Sequence, residues 1–413
     1  MKVRQLVPDI GALDLTELVD RFAAPPTSPR PFAPEVAGFC AELAAALSRN
    51  PEARTFPELQ SLAFWMRRAE LQRLRDEFDL LQTRHTLLVP RGVVFHLPPS
   101  NVDTMFVYSW VLSLLAGNQN IVRLSDRSSR QSAVICATAR RLLEASDYDV
   151  VRRSTAIITY GHDAAITGAI SAVADVRVIW GGDRTVAAIR SIPLPPHARE
   201  LTFGDRSSFC VIAADVYLEL DAAHRRSLAE RFYNDGYWFD QMACSSPRLV
   251  VWCGAAGAAA AAGRCFFEEL HQLTTARGYS VDTSTALNKF TYSCRAILDT
   301  AVTRYERRGN ALTVLTLEEG ADIPADHCGS GLFYETRVHE LSEVAGFVGR
   351  RDQTMTHFGF TREALYRLGT LLNGQGVDRI VPIGQALAFN RFWDGLDLLQ
   401  EMTRRVYVEA EGQ

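Results

Sequence analysis

Lysine is almost missing from this chain: of 44 basic residues only Lys2 and Lys289 are lysines, and the rest are arginines. The formal net charge is −4 at pH 7. No global positive field is therefore available to recruit nucleic acid or an anionic membrane. No run approaches the ~18 consecutive apolar residues that a membrane span requires. "VVWCGAAGAAAAAG" comes nearest, and it is short and built of alanine and glycine. The opening "MKVRQLVPDIGALDL" has neither the apolar core nor the small-residue cleavage site of a signal peptide. The cysteines, at 40, 136, 210, 244, 253, 265, 294 and 328, show no disulfide-framework spacing, and a reducing cytoplasm is the expected setting. There is no C-x-x-C and no H-x-x-x-H, and the nine histidines lie far apart. No metal site is expected, since His327-Cys328 is a lone pair and closed zinc sites use four ligands. G-x-G-x-x-G is absent too, which excludes the common dinucleotide fingerprint.

What is present is an ordinary globular composition, 47% hydrophobic and 22% charged, in 413 residues. That length exceeds one ordinary core and predicts two domains. The first 85 residues read as helices, with "PEVAGFCAELAAALSRN" and "FPELQSLAFWMRRAELQRLRDEFDLLQ" carrying apolar residues at helical intervals. From "TLLVPRGVVFHLP" onward, strands alternate with helices: "NIVRLS", "TAIITYG" and "DVRVIWGG" are separated by long amphipathic stretches. That alternation means βαβ units around a parallel sheet. The expected cofactor-type domain is 1–198, with a hairpin arm near 81–97. Pro-rich "SIPLPPHARE" is the natural hinge, a second α/β domain covers 199–385, and 386–413 returns and ends in an edge-like strand, "TRRVYVEAE".

Several stretches could carry chemistry. In "IWGGDRTVAAIR" a strand ends in Gly181-Gly182, with Asp183 as the expected N-cap of a helix, where backbone can approach a ligand. A plain strand-to-helix turn would read the same way. In "FHLPPSNVDTMFVYSWVLSLLAGNQNIVRLS", Asn101 begins an apolar helix, either as a simple N-cap or as an amide aimed at a developing oxyanion. Arg123 and Ser125 end the next strand, where a ribose or phosphate could lie; a solvated strand end is the alternative. Glu200, in "ELTFGDRSSFCVIAAD", is either a surface residue or a proton-transfer group near a thiol.

Cys244 stands in "YWFDQMACSSPRLVVW". Leu228, Phe232, Gly236, Phe239 and Ala243 before it share one helical face, and Pro247 follows it. This predicts a turn between helix and strand, at or just past the helix end. A helix C-terminus disfavours a thiolate, so something else must supply the charge if this cysteine reacts. Free cysteine is more often inert filler.

Taken together these blocks resemble the aldehyde dehydrogenase superfamily. More closely they resemble its acyl-CoA reductase branch, the LuxC-type fatty acyl reductases of bacterial bioluminescence. The superfamily's Pro-x-Asn turn, Gly-Asn and Lys-Pro-Ser strand end are matched by "PPSN…AGNQNIVRLS"; "WGGD", "ELTFGDRSS" and "DQMACSSP" then follow in the superfamily's order. "DQMACSSPR", "QTMTHFGF" and "RIVPIGQALAFNRFWDGLDLL" carry the LuxC-like character, and the similarity covers roughly residues 85–410.

The resemblance implies an α/β fold of two domains, one Rossmann-like and one bearing the thiol, with a small oligomerisation arm. It places Cys244 on the nucleophile, Asn101 on the oxyanion amide and Glu200 on the family's glutamate. Arg123, Ser125, Gly181, Gly182 and Asp183 fall on the cofactor side. Arg123 replaces the usual lysine, and a planar guanidinium is not a simple substitute for it. The implied cofactor is NADPH, with NADH as the alternative that Asp126 would suit. The implied reaction is reduction of a fatty acyl-CoA or acyl-carrier or acyl-protein thioester to the aldehyde through an S-acyl Cys244. An acyl-activating synthetase is the implied partner, and a homo-oligomer the implied assembly. Three other readings fit the same residues: oxidation of a free aldehyde, reductive release of a carrier-bound biosynthetic intermediate, and a weakly active acyl-holding scaffold subunit.

Overall fold

The structure, a computed structural model, describes residues 1–24, 29–99, 102, 104–126, 129–324 and 326–410. The chain divides into two units, 1–204 together with 389–413, and 205–388. The first division falls at Gly204, after the Pro-rich stretch rather than at it. The reason is pairing: the strand Arg199–Phe203 is hydrogen-bonded in parallel to Val176–Trp180 and stays with the first unit.

The first unit opens with two strands, β1 (Lys2–Val7) and β2 (Gly11–Asp14), where helix was expected. Val3, Gln5 and Val7 alternate inward along β1, but a polar residue on that face disguises the period of two. The helices α1 (Leu15–Ala23), α2 (Pro34–Arg49), α3 (Pro57–Trp65) and α4 (Arg68–Asp79) follow, then β3 (Thr86–Pro90) and β4 (Val93–Leu97). The βαβ run comprises α5 (Thr104–Leu115), β5 (Gln119–Leu124), α6 (Arg130–Leu143), α7 (Asp149–Arg153), β6 (Thr155–Thr159), α8 (Ala164–Ser171), β7 (Val176–Trp180), α9 (Asp183–Arg190) and β8 (Arg199–Phe203).

The sheet order is β2-β1-β6-β5-β4-β7-β8, parallel from β6 to β8. From β4 the chain moves one way to β5 and β6, then returns across β4 to β7 and β8. The switch point therefore lies beyond the carboxyl ends of β4 and β7, the place where open sheets of this kind take ligands.

β3 does not form a hairpin with β4, as the arm near 81–97 would have required. It pairs antiparallel with the tail strand Thr403–Tyr407 of the same chain, Pro90 opposite Thr403 and Thr86 opposite Tyr407. The Gly-Asn block explains how the tail is held. Asn118 Nδ2 donates to Met402 O (2.8 Å), while its Oδ1 accepts from Arg91 N (2.8 Å) and Gly92 N (3.1 Å).

The second unit contains β9 (Ser207–Ala213), α10 (Ala214–Leu218), α11 (Ala222–Tyr237), β10 (Pro247–Cys253), α12 (Ala256–Ala276) and α13 (Thr283–Asp299). β11 (Val302–Arg308), β12 (Leu312–Leu317), β13 (Leu332–Val338), β14 (Asp352–Phe358), α14 (Arg362–Leu372) and β15 (Arg379–Pro382) complete it. Its sheet runs β11-β12-β13-β10-β9-β14-β15, and only the edge pair β11·β12 is antiparallel.

One face of this sheet packs Phe232, Trp252, Phe266 and Phe333, and the other packs Phe209, Leu249, Leu315 and Met355. α12 turns Ala259, Ala262, Phe266, Leu270 and Leu273 inward at helical intervals; truncating Phe266 to alanine would cost about 3–5 kcal/mol. Acidic side chains start the helices: Asp221 caps α11 and Asp282 caps α13 by accepting from His224 N and Thr285 N. The closing segment is pinned by Asp235, which is buried and accepts from Gly384 N (2.6 Å) and Ala386 N (2.9 Å). Among the described residues no helix is long and apolar enough to cross a membrane.

Candidate active site

The segment leading to Cys244 does not stay helical. α11 stops at Tyr237, and after Trp238 three successive residues, Phe239, Asp240 and Gln241, take φ of 54°, 51° and 63°. Each left-handed residue of this kind costs about 1–2 kcal/mol, so the surroundings must hold the turn. Gln241 is fully buried: its Nε2 donates to Pro247 O (2.9 Å) and Leu332 O (3.0 Å), and its Oε1 accepts from Gly331 N (3.0 Å). Asp240 O accepts from Ser330 N (2.7 Å), and Asp240 Oδ1 from Tyr279 Oη (2.9 Å).

The facing loop is left-handed as well, at Gly329, Ser330 and Gly331 (φ 70°, 58° and 77°). A Cβ on Gly329 would lie 2.5 Å from Asp240 O, so glycine is required by space as well as by φ. His327 staples this loop, donating from Nε2 to Leu332 O (2.8 Å) and accepting at Nδ1 from Gly329 N (2.9 Å). Burial, assisted by Arg248, pushes its pKa down to about 3, so it is neutral. Among the described residues no group of three or more His, Cys, Asp or Glu is placed to hold a metal.

Cys244 is half-buried, three residues before β10. It is not at a helix end, and the dipole objection lapses. Its carbonyl accepts from Ser208 Oγ (2.8 Å), which in turn accepts from Thr354 N (3.2 Å). Its sulfur accepts from Gln353 Nε2 (3.5 Å). The thiol thus lies at the amino ends of β9, β10 and β14.

Arg248 is the nearby cation. Burial lowers its pKa, and the charges of Cys244, Asp205 and Tyr292 oppose that; by reciprocity the guanidinium favours the thiolate. Its Nε is buried and unpartnered among the described residues, as are the hydroxyls of Ser245 and Ser246. A cavity of about 720 Å³ borders Arg248 and Ser208, with Leu249, Tyr334 and Phe347 also in its wall; Cys244 and Gln353 do not line it. Burial raises the pKa of other cysteines. Cys40 and Cys136 are pushed up to about 12, Cys253 and Cys328 to about 11, and Cys210 is raised as well. Ser208, Arg248 and Gln353 were not among the expected site residues. Arg248 and Gln353 stand inside the LuxC-like blocks "DQMACSSPR" and "QTMTHFGF", which was the available signal.

In the first unit, Arg123 and Ser125 lie at the carboxyl end of β5, and Gly181, Gly182 and Asp183 at that of β7, with β4 between the two strands. Arg123 donates to Tyr160 O (3.1 Å) and lies over the Tyr160 ring, 5.1 Å from its centroid. Its Nε is buried with no partner among the described residues, and so is Trp180 Nε1. Gly182, not Asp183, is the N-cap of α9, and no side chain caps that end. Asp183 occupies the first turn instead.

Asn101, the expected oxyanion amide, lies outside the described residues. Glu200, expected as a surface residue or a proton-transfer group, is engaged by arginines. It stands second in β8, opposite Arg177, at the end of the strand far from the Phe203–Gly204 turn. Arg177 donates to its Oε2 from Nε (2.8 Å) and again from Nη2, and Arg190 Nε reaches Oε1 at 3.1 Å. Both of its oxygens are engaged by arginines.

The comparisons with known proteins bear on this arrangement. The long-chain acyl-protein thioester reductase of Vibrio harveyi is 23% identical over 333 residues, 78% of this chain and 65% of that protein. The one from Photorhabdus laumondii is 28% identical over 168 residues, 40% of this chain and 32% of that protein. The chain thus spans less than two thirds of the length of these curated relatives. Aldehyde dehydrogenase 21 from Physcomitrella patens superposes with a TM-score of 0.67 at 11% identity, covering 97% of this chain and 92% of that one. A Mycobacterium tuberculosis aldehyde dehydrogenase complexed with NAD+ gives 0.63 at 11% identity, with the same coverage. The fold is that of the aldehyde dehydrogenases. With the family described as Acyl-CoA reductase (LuxC) matching residues 41–405, the chain belongs to the LuxC acyl-CoA reductases.

Proposed function

We propose that this protein reduces an activated acyl thioester to the aldehyde, with Cys244 as the nucleophile. The observation that carries the reading is a half-buried thiol within the matched region, contacted by Gln353 and accompanied by Arg248. The Cys244 thiolate attacks the thioester carbonyl, a new carbon–sulfur bond forms, and the old one breaks to release the carrier thiolate, which takes a proton from water. The proposed role of Asn101 is to stabilise the tetrahedral oxyanion. Glu200 is not required, because reduction calls for no activated water. The relatives' names favour a long-chain acyl-protein thioester as substrate, and acyl-CoA is the simpler test substrate. Incubation with acyl-CoA alone leaves an acyl adduct on Cys244, read by mass spectrometry. Retention of aldehyde formation by Cys244→Ala would refute the proposal.

The fold's dinucleotide fits the first unit on its own residues. Supporting this are the uncapped start of α9 behind Gly182, the orphan Nε1 of Trp180 at the end of β7, and the unpartnered Nε of Arg123 near the end of β5. When bound, a reduced nicotinamide supplies the hydride that an acyl thioester needs to become an aldehyde. Arg123 and the α9 amides would hold its phosphates, and Arg123 favours NADPH over NADH. Loss of that contact in Arg123→Ala raises KM for NADPH at least tenfold more than KM for NADH. An equal change for both cofactors would remove the assignment.

We further propose a homo-oligomer joined through the β3–tail ribbon, where Leu87, Val406, Tyr407 and Val408 are exposed. Sedimentation at micromolar concentration tests this, and a monomer would count against it. An acyl-activating synthetase is the proposed source of the acyl group.

A further inference from the structure

We infer that Gln353 is a further catalytic residue, the hydrogen-bond donor that holds the Cys244 sulfur in its ionised form. The inference rests on the reading of Cys244 as nucleophile. Gln353 is fully buried at the amino end of β14. Thr354 Oγ1 donates to its Oε1 (3.2 Å), which turns Nε2 toward Cys244 Sγ at 3.5 Å. A thiolate is a far stronger acceptor than a thiol, so this contact favours the ionised sulfur. The Ser208 hydrogen bond to the Cys244 carbonyl limits how far the sulfur can move from its donor.

The charged and titratable groups around the sulfur divide the work. Arg248, from β10, supplies positive charge, and Asp205 and Tyr292 lie on its field. His327, from the 327–331 loop, is neutral and engaged with Leu332 and Gly329. Asp352, next to Gln353, accepts from Ser207 Oγ (2.9 Å) and Gly349 N (2.8 Å). Gln353 is thus the uncharged direct contact and Arg248 the cation behind it. An amide does not titrate, so the contact persists across the working pH range. Thiolate stabilisation counts twice in the proposed cycle, when sulfur attacks and when it leaves.

The test is the pH dependence of Cys244 alkylation by iodoacetamide, followed by peptide mapping in the full-length protein. The wild-type midpoint falls below the ordinary thiol value of about 8.5. Gln353→Met keeps the volume and removes the donor; its midpoint rises by about one unit, a tenfold loss of thiolate below the midpoint. Gln353→Glu places a carboxylate against the sulfur and raises the midpoint further. Aldehyde formation by Gln353→Met drops in parallel at pH 7 and recovers at high pH, which a merely structural role would not produce. A wild-type midpoint at or above 8.5 overturns the inference. So does an unchanged midpoint in a Met variant with wild-type circular dichroism, and if that variant does not fold, the wild-type and Glu midpoints decide. The alkylation midpoints do not depend on turnover. Activity in Cys244→Ala would sink the nucleophile reading while leaving the thiolate measurement intact.

Discussion

Replacing Glu200 by glutamine separates a chemical role from a structural one. Arg177 is 1% exposed and Glu200 19% exposed, and they are bonded through Nε and Nη2. Arg177 Nη1 is engaged with Ser171 Oγ at 3.0 Å, so the guanidinium has no alternative carboxylate among these contacts. Neutralising one partner of a buried pair costs about 3–5 kcal/mol, because the other charge is left uncompensated. Glutamine keeps one carbonyl acceptor, which puts the expected loss near 3 kcal/mol. For a unit of this size each kcal/mol moves Tm by about 2–4 °C, so the drop is about 6–12 °C. The exposed Arg190 pair adds little. Differential scanning calorimetry gives Tm, and single-turnover acylation by acyl-CoA gives the chemistry at a temperature where the variant is folded. The expected result is a large fall in Tm with acylation retained. Adding Arg177→Met to Glu200→Gln restores part of the stability, since the stranded cation is gone. A Tm within about 2 °C of wild type together with lost acylation would refute the assignment and return Glu200 to the chemistry.

Burial raises the pKa of Asp235 to about 7, against the opposition of Gly384 N, Ala386 N, Arg379 and Arg231. A carboxyl with a raised folded-state pKa binds its proton more tightly when folded, so this group's contribution is greatest below about pH 4 and is lost as pH rises toward 7. Urea midpoints at pH 5 and pH 8 should therefore differ less in Asp235→Asn than in wild type; an equal difference would show that Asp235 titrates normally. Gly329→Ala puts a Cβ 2.5 Å from Asp240 O at a φ of 70°. It should destabilise by at least about 2 kcal/mol and speed proteolysis of the 238–244 segment, and a neutral effect would show that the loop is slack. Gln241→Leu removes the buried partners of Gly331 N and Pro247 O, while Leu332 O keeps the bond from His327 Nε2. At about 1–3 kcal/mol for each buried orphan, this variant should fail to accumulate as folded protein, and a wild-type unfolding midpoint would contradict that.

Legibility in the sequence followed periodicity. The βαβ run was readable because its strands are mostly apolar, Val176–Trp180 being interrupted only by Arg177, and helical stretches separate them. β1 was not, because Gln5 interrupts its inward face and makes Lys2–Val7 look irregular. The turn before Cys244 was misplaced for the opposite reason. Leu228, Phe232 and Gly236 do lie on one helical face, but Phe239 and Ala243 extend that spacing by coincidence across a reversal of hand. Nothing local marks the reversal, since the residues that enforce it, Gly329 to Leu332, lie about ninety positions downstream. Ser208 and Gln353 were unreadable as Cys244 contacts for the same reason: strand order, not spacing, makes β9 and β14 neighbours. The Arg177 pairing of Glu200 was unreadable because motif order carries no strand register, and register places it opposite Arg177.

The two opposed left-handed triplets also set a timetable. Phe239–Gln241 cannot hold its conformation alone, and its partner loop is synthesised only after β10, α12, α13, β11 and β12. Closing a contact across so long a separation is entropically slow and comes late in folding. Until β13 has docked, Cys244 belongs to an unshaped stretch of chain, with Gln353 and Arg248 not yet gathered around it. A nascent or partly unfolded chain therefore carries eight ordinary thiols, and the one distinguished by its neighbours emerges only with the finished sheet.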